Sequence, residues 1–199
     1  MIGSCVFPTV VKAADGGDRF YRAFEIVVST KPPDPVDGDV YFQSIGEKGD
    51  EFVLHFDARF RDKNSTLTVL SSVRAAVNSR PELREKNIFV YVKSRYIGDL
   101  SGASDGLAIL IAAMGYTVPA NLWATGFVES FTLSEDADVN EIAIRKIDGV
   151  SAKLEGARKR GVKLIIPQGD AAQVEPATLL DYAIPVAKFG DVLKVITNA

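Results

Sequence analysis

One domain of mixed strands and helices, able to bury a full core, is what this chain predicts, and three observations predict it. Its 199 residues are 47% apolar and 25% charged, the balance of a soluble chain with one core and at most a small appendage. Runs rich in Val, Ile, Phe and Tyr recur along it, several with period-two alternation. Among them lie longer stretches bounded by helix start and stop residues.

Residues 4–11 and 20–30 read as strands joined by a turn at Asp15-Gly16-Gly17-Asp18. The Pro/Asp/Gly loop Lys31–Asp39 is no domain linker, because too few residues precede it to form a core. Val40–Ile45 and Glu51–Phe60 are the next strands. In the second, Phe52, Leu54 and Phe56 alternate with His55 and Asp57, which predicts one buried face. Asn64 or Ser65 is suited to cap a helix running to about Ser79, with Leu67, Leu70 or Ser71, Arg74 and Val77 on successive turns and Pro81 beyond its end. Asn87–Lys93 is a strand. Gly106–Gly115 is apolar nearly all round, so that helix belongs inside the domain. Leu122–Thr125, Val128–Leu133 and Glu141–Ile147 read as strands, with an acidic connection at Ser134–Asn140. Gly149–Arg160 is an amphipathic helix stopped by Gly161. Val162–Pro167 and Ala183–Val186 are strands, and Asp191–Thr197 a last helix.

A formal charge of −3 with interspersed signs argues against a nucleic-acid binder that works by neutralising phosphates. Cys5 is the only cysteine and His55 the only histidine, so no familiar zinc spacing exists and no metal or cofactor is expected. No basic segment followed by an apolar run opens the chain, and Leu107–Met114 is far too short to span a bilayer. The expectation is a cytoplasmic protein with no membrane partner.

Gly102-Ala103-Ser104-Asp105-Gly106 places a hydroxyl where a glycine-containing loop enters an apolar helix. A serine that only caps that helix is the plainer reading. The functional one is that the backbone N–H groups of Gly102, Ala103, Ser104 and Asp105, left unpaired at the helix mouth, serve as oxyanion donors beside a nucleophile. An α/β-hydrolase triad requires the histidine after the serine, and His55 precedes Ser104. A His-first triad of His55, Asp57 or Asp99, and Ser104 has the right order, but His55 sits in mid-strand, where a half-exposed imidazole is the ordinary outcome.

Arg158, Lys159 and Arg160 complement the C-terminal end of their helix. Lys153 differs, because it lies near the N-terminal end among Val150, Ala152 and Leu154. Burial and the helix dipole both disfavour an ammonium there, which suits a lysine that acts as a general base near neutral pH. A lysine snorkelling from the edge of the core is the alternative.

Four segments in order resemble the proteolytic domain of the Lon peptidases. Ser101-Gly102-Ala103-Ser104-Asp105-Gly106-Leu107-Ala108 is similar to the D-G-P-S-A-G-I-A segment around the family's nucleophile. Trp123-Ala124-Thr125-Gly126-Phe127 is similar to its A-M-T-G-E strand, and Lys146-Ile147-Asp148-Gly149-Val150-Ser151-Ala152-Lys153 to its P-x-G-G-x-x-x-K segment. The stretch from Lys153 through Gly161-Val162-Lys163 to Ile166-Pro167 is similar to the K-x-x-A-A-x-x-x-G-I-K and I-P that follow. The match covers residues 87–167. Ser101, Asp105 and Phe127 depart from the pattern, which usually has an acid, a small apolar residue and a glutamate at those positions.

The resemblance implies an α+β fold of the Lon proteolytic type, with mixed sheets packed against about four helices. It implies hydrolysis of peptide bonds through an acyl-enzyme, with Ser104 as nucleophile, Lys153 as general base and Thr125 orienting the lysine. Substrates would be peptides or unfolded proteins. The chain has no G-x-x-x-x-G-K-[ST] phosphate loop, so a motor would be a separate ATPase, and assembly of copies into a homo-oligomer is a further possibility within the family. An inactive Lon-like module that binds a peptide or protein partner is the competing expectation.

Overall fold

Gly3–Lys12 (β1) and Asp18–Ser29 (β2) form a long antiparallel ladder at the middle of the molecule, and the other strands extend the sheet from its two edges. The computed structural model describes residues 1–34, 40–94, 100, 103–128 and 137–198. Phe42–Ile45 (β3), Val53–Asp57 (β4) and Asn87–Val92 (β5) lie beyond β2; Leu122–Ala124 (β6), Lys163–Pro167 (β9) and Ala183–Val186 (β10) lie beyond β1. The order is β10-β9-β6-β1-β2-β5-β4-β3. Pairing is parallel from β10 to β1 and between β4 and β5, and antiparallel for β1–β2, β2–β5 and β3–β4. Phe127–Val128 (β7) and Ile144–Arg145 (β8) form a separate two-stranded ribbon. The architecture is α+β, with one large mixed sheet.

Helices cover both faces of the sheet. Lys63–Ser79 (α1) and Gly106–Ala113 (α2) share a core with Phe7, Phe24, Ile26, Leu54, Phe56 and Val90, and Phe189 and Val192 of Phe189–Thr197 (α4) join it. Every residue of α2 is buried, as its all-round apolar composition predicts. Val150–Arg160 (α3) packs on the opposite face, where Leu154 and Ala157 meet Trp123, Leu164 and Ile166. Phe20 stacks on Trp123 with ring centroids 6.0 Å apart. A Cβ at position 156 would lie 2.2 Å from the Phe20 ring, so Gly156 is what lets α3 come this close to β2. Among the described residues no helix is long and apolar enough to cross a membrane.

Several local expectations change. The cap of α1 is Asp62, not Asn64 or Ser65: its carboxylate accepts the Ser65 N–H at 2.9 Å. The buried side of α1 carries Thr68, Val69, Ser72, Val73 and Ala76, while Arg74 is exposed and Leu67 and Leu70 are half-buried. Small side chains face α2 because the two helices pack closely, and the Ser72 hydroxyl donates to the Gly106 carbonyl at 3.1 Å. The expected strand 51–60 shortens to β4, and Asp57 is buried, contrary to its place in the alternation. Its carboxylate accepts Arg59 Nε at 2.8 Å, the Arg59 Nη2 group and the Val92 N–H at 3.2 Å. The same guanidinium donates to the carbonyls of Ser94 and Val92. A single turn at Val139–Glu141 replaces the start of the strand expected at 141–147. Most of the expected strand 128–133 and the first part of the 134–140 connection lie outside the described residues.

Asp57 and Arg59 thus form a partly buried ion pair that ties β4 to the end of β5. Asp57→Ala strands the guanidinium, and urea unfolding should show a loss of about 3–5 kcal/mol with an unchanged m-value.

Candidate functional site

Ser104 sits in a single helical turn, Ala103–Asp105, that runs directly into α2. The turn is clamped to the connection between β6 and β7. Gly126 N–H donates to the Ser104 carbonyl at 2.9 Å, and Leu107 N–H donates to the Gly126 carbonyl at 3.0 Å. Thr125, the residue between, is fully buried (0% exposed), and its N–H donates to Ile165 of β9 at 3.0 Å. The Thr125 hydroxyl therefore cannot drift, and it donates to the same Ser104 carbonyl at 3.1 Å.

Lys153 reaches the site from the other face of the sheet. Gly149, at φ +69°, turns the chain into α3 in a left-handed conformation that L side chains rarely adopt. Lys153 N–H then closes the first helical hydrogen bond, onto the Gly149 carbonyl. Its side chain is buried (2% exposed), and Nζ donates to Thr125 Oγ1 at 3.2 Å. One hydroxyl thus joins the lysine amine to the main chain of Ser104. Snorkelling is overturned, since the ammonium end is turned inward and not toward water.

Ser104 and Lys153 open onto one cleft of about 910 Å³. Ala103, Ser104 and Asp105, three of the candidate oxyanion positions, line it; Gly102 lies outside the described residues. Among the described residues no hydrogen bond joins Ser104 Oγ to Lys153 Nζ. The Ser104 hydroxyl instead donates to Asp105 Oδ1 at 3.2 Å. Asp105 stands at the N-cap of α2, yet its side chain makes no capping bond and is buried (4% exposed).

Burial dominates the electrostatics. It pulls the Lys153 amine down to about 8, against the opposing pull of Asp105, then Asp148, Asp18 and Asp170. Burial likewise pushes the Asp105 carboxyl up to about 7, opposed by Lys153 and by the Ser104 hydroxyl. An acid and a base with unusually close affinities for a proton thus share the site. Asp170 is also raised by burial, while accepting the Ile147 N–H at 3.0 Å.

The His-first triad does not assemble. His55 Nδ1 accepts the Ser44 hydroxyl at 2.8 Å, Nε2 donates to Asn87 Oδ1 at 3.1 Å, and the ring stacks on Phe89. Asp57 is held by Arg59, and Asp99 lies outside the described residues. Among the described residues no group of three His, Cys, Asp or Glu side chains is placed to hold a metal ion. Burial pushes the Cys5 thiol up, as for an unreactive core residue.

Sequence reasoning missed the walls of the cleft. Tyr21, Phe24, Leu67 and Phe127 give its lining apolar surface, and Lys12, Asp18, Lys146, Asp148 and Asp170 give it charge. Tyr21 is there because of a β-bulge: Thr9 pairs with Arg22 and Val10 with Phe20, leaving Tyr21 as the extra residue. The adjacent aromatics Phe20 and Tyr21, which break the period-two pattern, were its only signal.

No protein-family model matches the chain, and no curated protein matches it significantly.

The depressed affinity of Lys153 has a measurable consequence. Between pH of about 8 and the unfolded-state value of about 10.5, the folded state binds fewer protons than the unfolded one, so stability rises with pH in that window. The difference in unfolding free energy between wild type and Lys153→Met should therefore grow in favour of wild type by about 3 kcal/mol across it. Chemical denaturation at a series of pH values reads this directly, and a flat difference would falsify the burial argument.

Proposed function

We propose that the chain is a Lon-like serine endopeptidase acting through a Ser104–Lys153 dyad. The observation that carries this reading is the Thr125 hydroxyl, bonded at once to Lys153 Nζ and to the Ser104 carbonyl inside one cleft. For the dyad to act, the Ser104 hydroxyl leaves Asp105 and turns to the neutral lysine amine. As Oγ attacks a peptide carbonyl, Nζ takes the hydroxyl proton, and the resulting ammonium is held by Thr125. N–H groups at the entrance to α2 receive the developing oxyanion. The ammonium then returns the proton to the departing amine, leaving an acyl-enzyme that water hydrolyses with Lys153 again as base.

Extended peptides and unfolded segments are the proposed substrates. Beyond the single β1–β6 pair at Val6, no described strand occupies the cleft-side edge of β1, and Thr9–Lys12 line the cleft. A strand of substrate added at such an edge would have backbone hydrogen bonds waiting for it. Folded proteins would require a separate ATPase, and ring assembly of copies belongs to the same proposal. The departure at Phe127 adds an apolar ring to the cleft wall where the Lon pattern has a carboxylate.

A non-catalytic peptide-binding module is the second reading, favoured by the hydrogen bond of Ser104 to Asp105 in place of Lys153.

Casein-like substrate at mildly alkaline pH separates the two. Ser104→Ala should abolish cleavage while moving the unfolding midpoint little, because the hydroxyl's structural contribution is no larger than a cap of about 0.5–2 kcal/mol. Lys153→Ala and Lys153→Arg should both be inactive, since a guanidinium keeps its proton throughout the accessible range. His55→Ala should cleave normally, and a chelator should leave the rate unchanged. Wild-type protein that neither cleaves nor is acylated by a serine-directed reagent belongs to the second reading.

Wild-type activity should rise with pH through about 8, where Lys153 loses its proton. A pH–rate profile that instead falls through this region removes Lys153 as the base.

A further inference from the structure

The dyad mechanism makes no use of Asp105, although it touches the nucleophile and is as deeply buried as the lysine. An aspartate at the N-cap of a helix ordinarily accepts an N–H of the first turn, and this one makes no such bond. Its Oδ1 takes the Ser104 hydroxyl at 3.2 Å, and its side chain lines the same cleft as Lys153.

The surroundings isolate the pair. Four carboxylates act on Lys153: Asp105 from the entrance to α2, Asp148 from the loop before α3, Asp18 from β2 and Asp170 from the turn after β9. Three of them are attenuated. Asp18 is paired with Lys12 at 2.7 Å, Asp148 is exposed and screened by water, and Asp170 accepts the Ile147 N–H beside Lys146. Asp105 is buried away from water, and the hydrogen bond it accepts comes from the neutral Ser104 hydroxyl. Lys153 is the cation that acts on it most strongly, and the nearby Asp62 carboxylate, which caps α1, repels it. Of the four, Asp105 favours the charged form of Lys153 most, ahead of Asp148, Asp18 and Asp170.

We propose that Asp105 is a positioning residue that decides when Ser104 and Lys153 couple: its carboxylate takes the Ser104 hydroxyl as donor and holds the Lys153 amine protonated, so that nucleophile and base stay apart in the open cleft. This inference rests on the reading of Ser104 and Lys153 as a dyad. A substrate that fills the cleft removes water from both groups. It thereby favours the uncharged couple of carboxylic acid and amine, in which one proton has left Nζ and one has joined Asp105 with no change in the total. The acid form of Asp105 no longer competes for the serine proton, and the amine is free to take it.

The test uses the whole chain and two readouts. Competitive labelling with acetic anhydride, followed peptide by peptide by mass spectrometry, gives the pH midpoint of the Lys153 amine without requiring turnover. Acylation of Ser104 by a fluorophosphonate gives the reactivity of the nucleophile over the same pH range. Asp105→Asn keeps an oxygen acceptor of the same size and removes the charge. It should lower both midpoints by about 1–3 pH units and quicken acylation at neutral pH. Unchanged midpoints, or acylation slowed equally at every pH, would overturn the proposal; the second result would make Asp105 a merely structural residue. A shifted Lys153 midpoint in protein whose Ser104 is never acylated would retain the hold of Asp105 on the lysine and remove the peptidase reading. If Asp105→Asn fails to fold, carbon NMR of the wild type decides. The Asp105 carboxyl resonance should show a second inflection at the Lys153 midpoint, and a single inflection overturns the coupling.

Discussion

The Thr125 hydroxyl carries two hydrogen bonds that join three distant parts of the chain, and the site depends on both. It donates to the Ser104 carbonyl at the entrance to α2 and accepts from Lys153 Nζ on α3. These helices lie on opposite faces of the large sheet, and Thr125, just past the end of β6, is where the Lys153 side chain and the Ser104 main chain are joined. Thr125 is held there by its own N–H on Ile165 of β9. A hydroxyl suits this position because it offers one proton and two lone pairs, enough to donate to a carbonyl while accepting from an amine. Valine, of nearly the same shape, would take this partner from the buried Lys153 amine and leave the Ser104 carbonyl with the Gly126 N–H alone.

The rest of the fold buries that meeting point. The apolar helix α2 fills one side, and Trp123, Phe20 and Leu154 fill the other. In such surroundings an ammonium and a carboxylate both lose hydration, which lowers the proton affinity of Lys153 and raises that of Asp105 until the two nearly coincide. Small rearrangements of charge or water then decide where the proton resides. On a solvated surface the same two residues would keep ordinary affinities, and neither would be of chemical use near neutral pH.

The cleft owes its shape to an irregularity in the sheet. An unbroken alternation along β2 would place Phe20 and Phe24 on one face. The bulge opposite Thr9 and Val10 reverses the phase, sending Phe20 under α3 and Tyr21 into the cleft beside Phe24. One extra residue therefore both anchors the helix that carries Lys153 and adds an aromatic ring to the lining of the cleft.

Much of the secondary structure was legible in the sequence because it follows from local rules. The all-apolar run of α2, the two glycines bounding α3 and the β-rich runs of β1, β2 and β5 each specify their own conformation. Ser104, Thr125 and Lys153 could be singled out for the same reason, each lying at an element boundary whose chemistry is local. Their assembly was not legible from local rules and came only as what the resemblance implies, since hydrogen bonds between residues 21 and 28 positions apart are made by the folded chain alone. Burial of Asp57 and Asp105 defied the sequence pattern because both carboxylates are satisfied by partners that alternation and capping rules do not include: Arg59 and the Val92 N–H for one, the Ser104 hydroxyl for the other. The sequence by itself determined which segments become strands and helices and which side chains stand at their ends. Only the tertiary structure decided which of those ends share one cleft, because desolvation and hydrogen bonding across the sheet depend on packing between elements and not on any one of them.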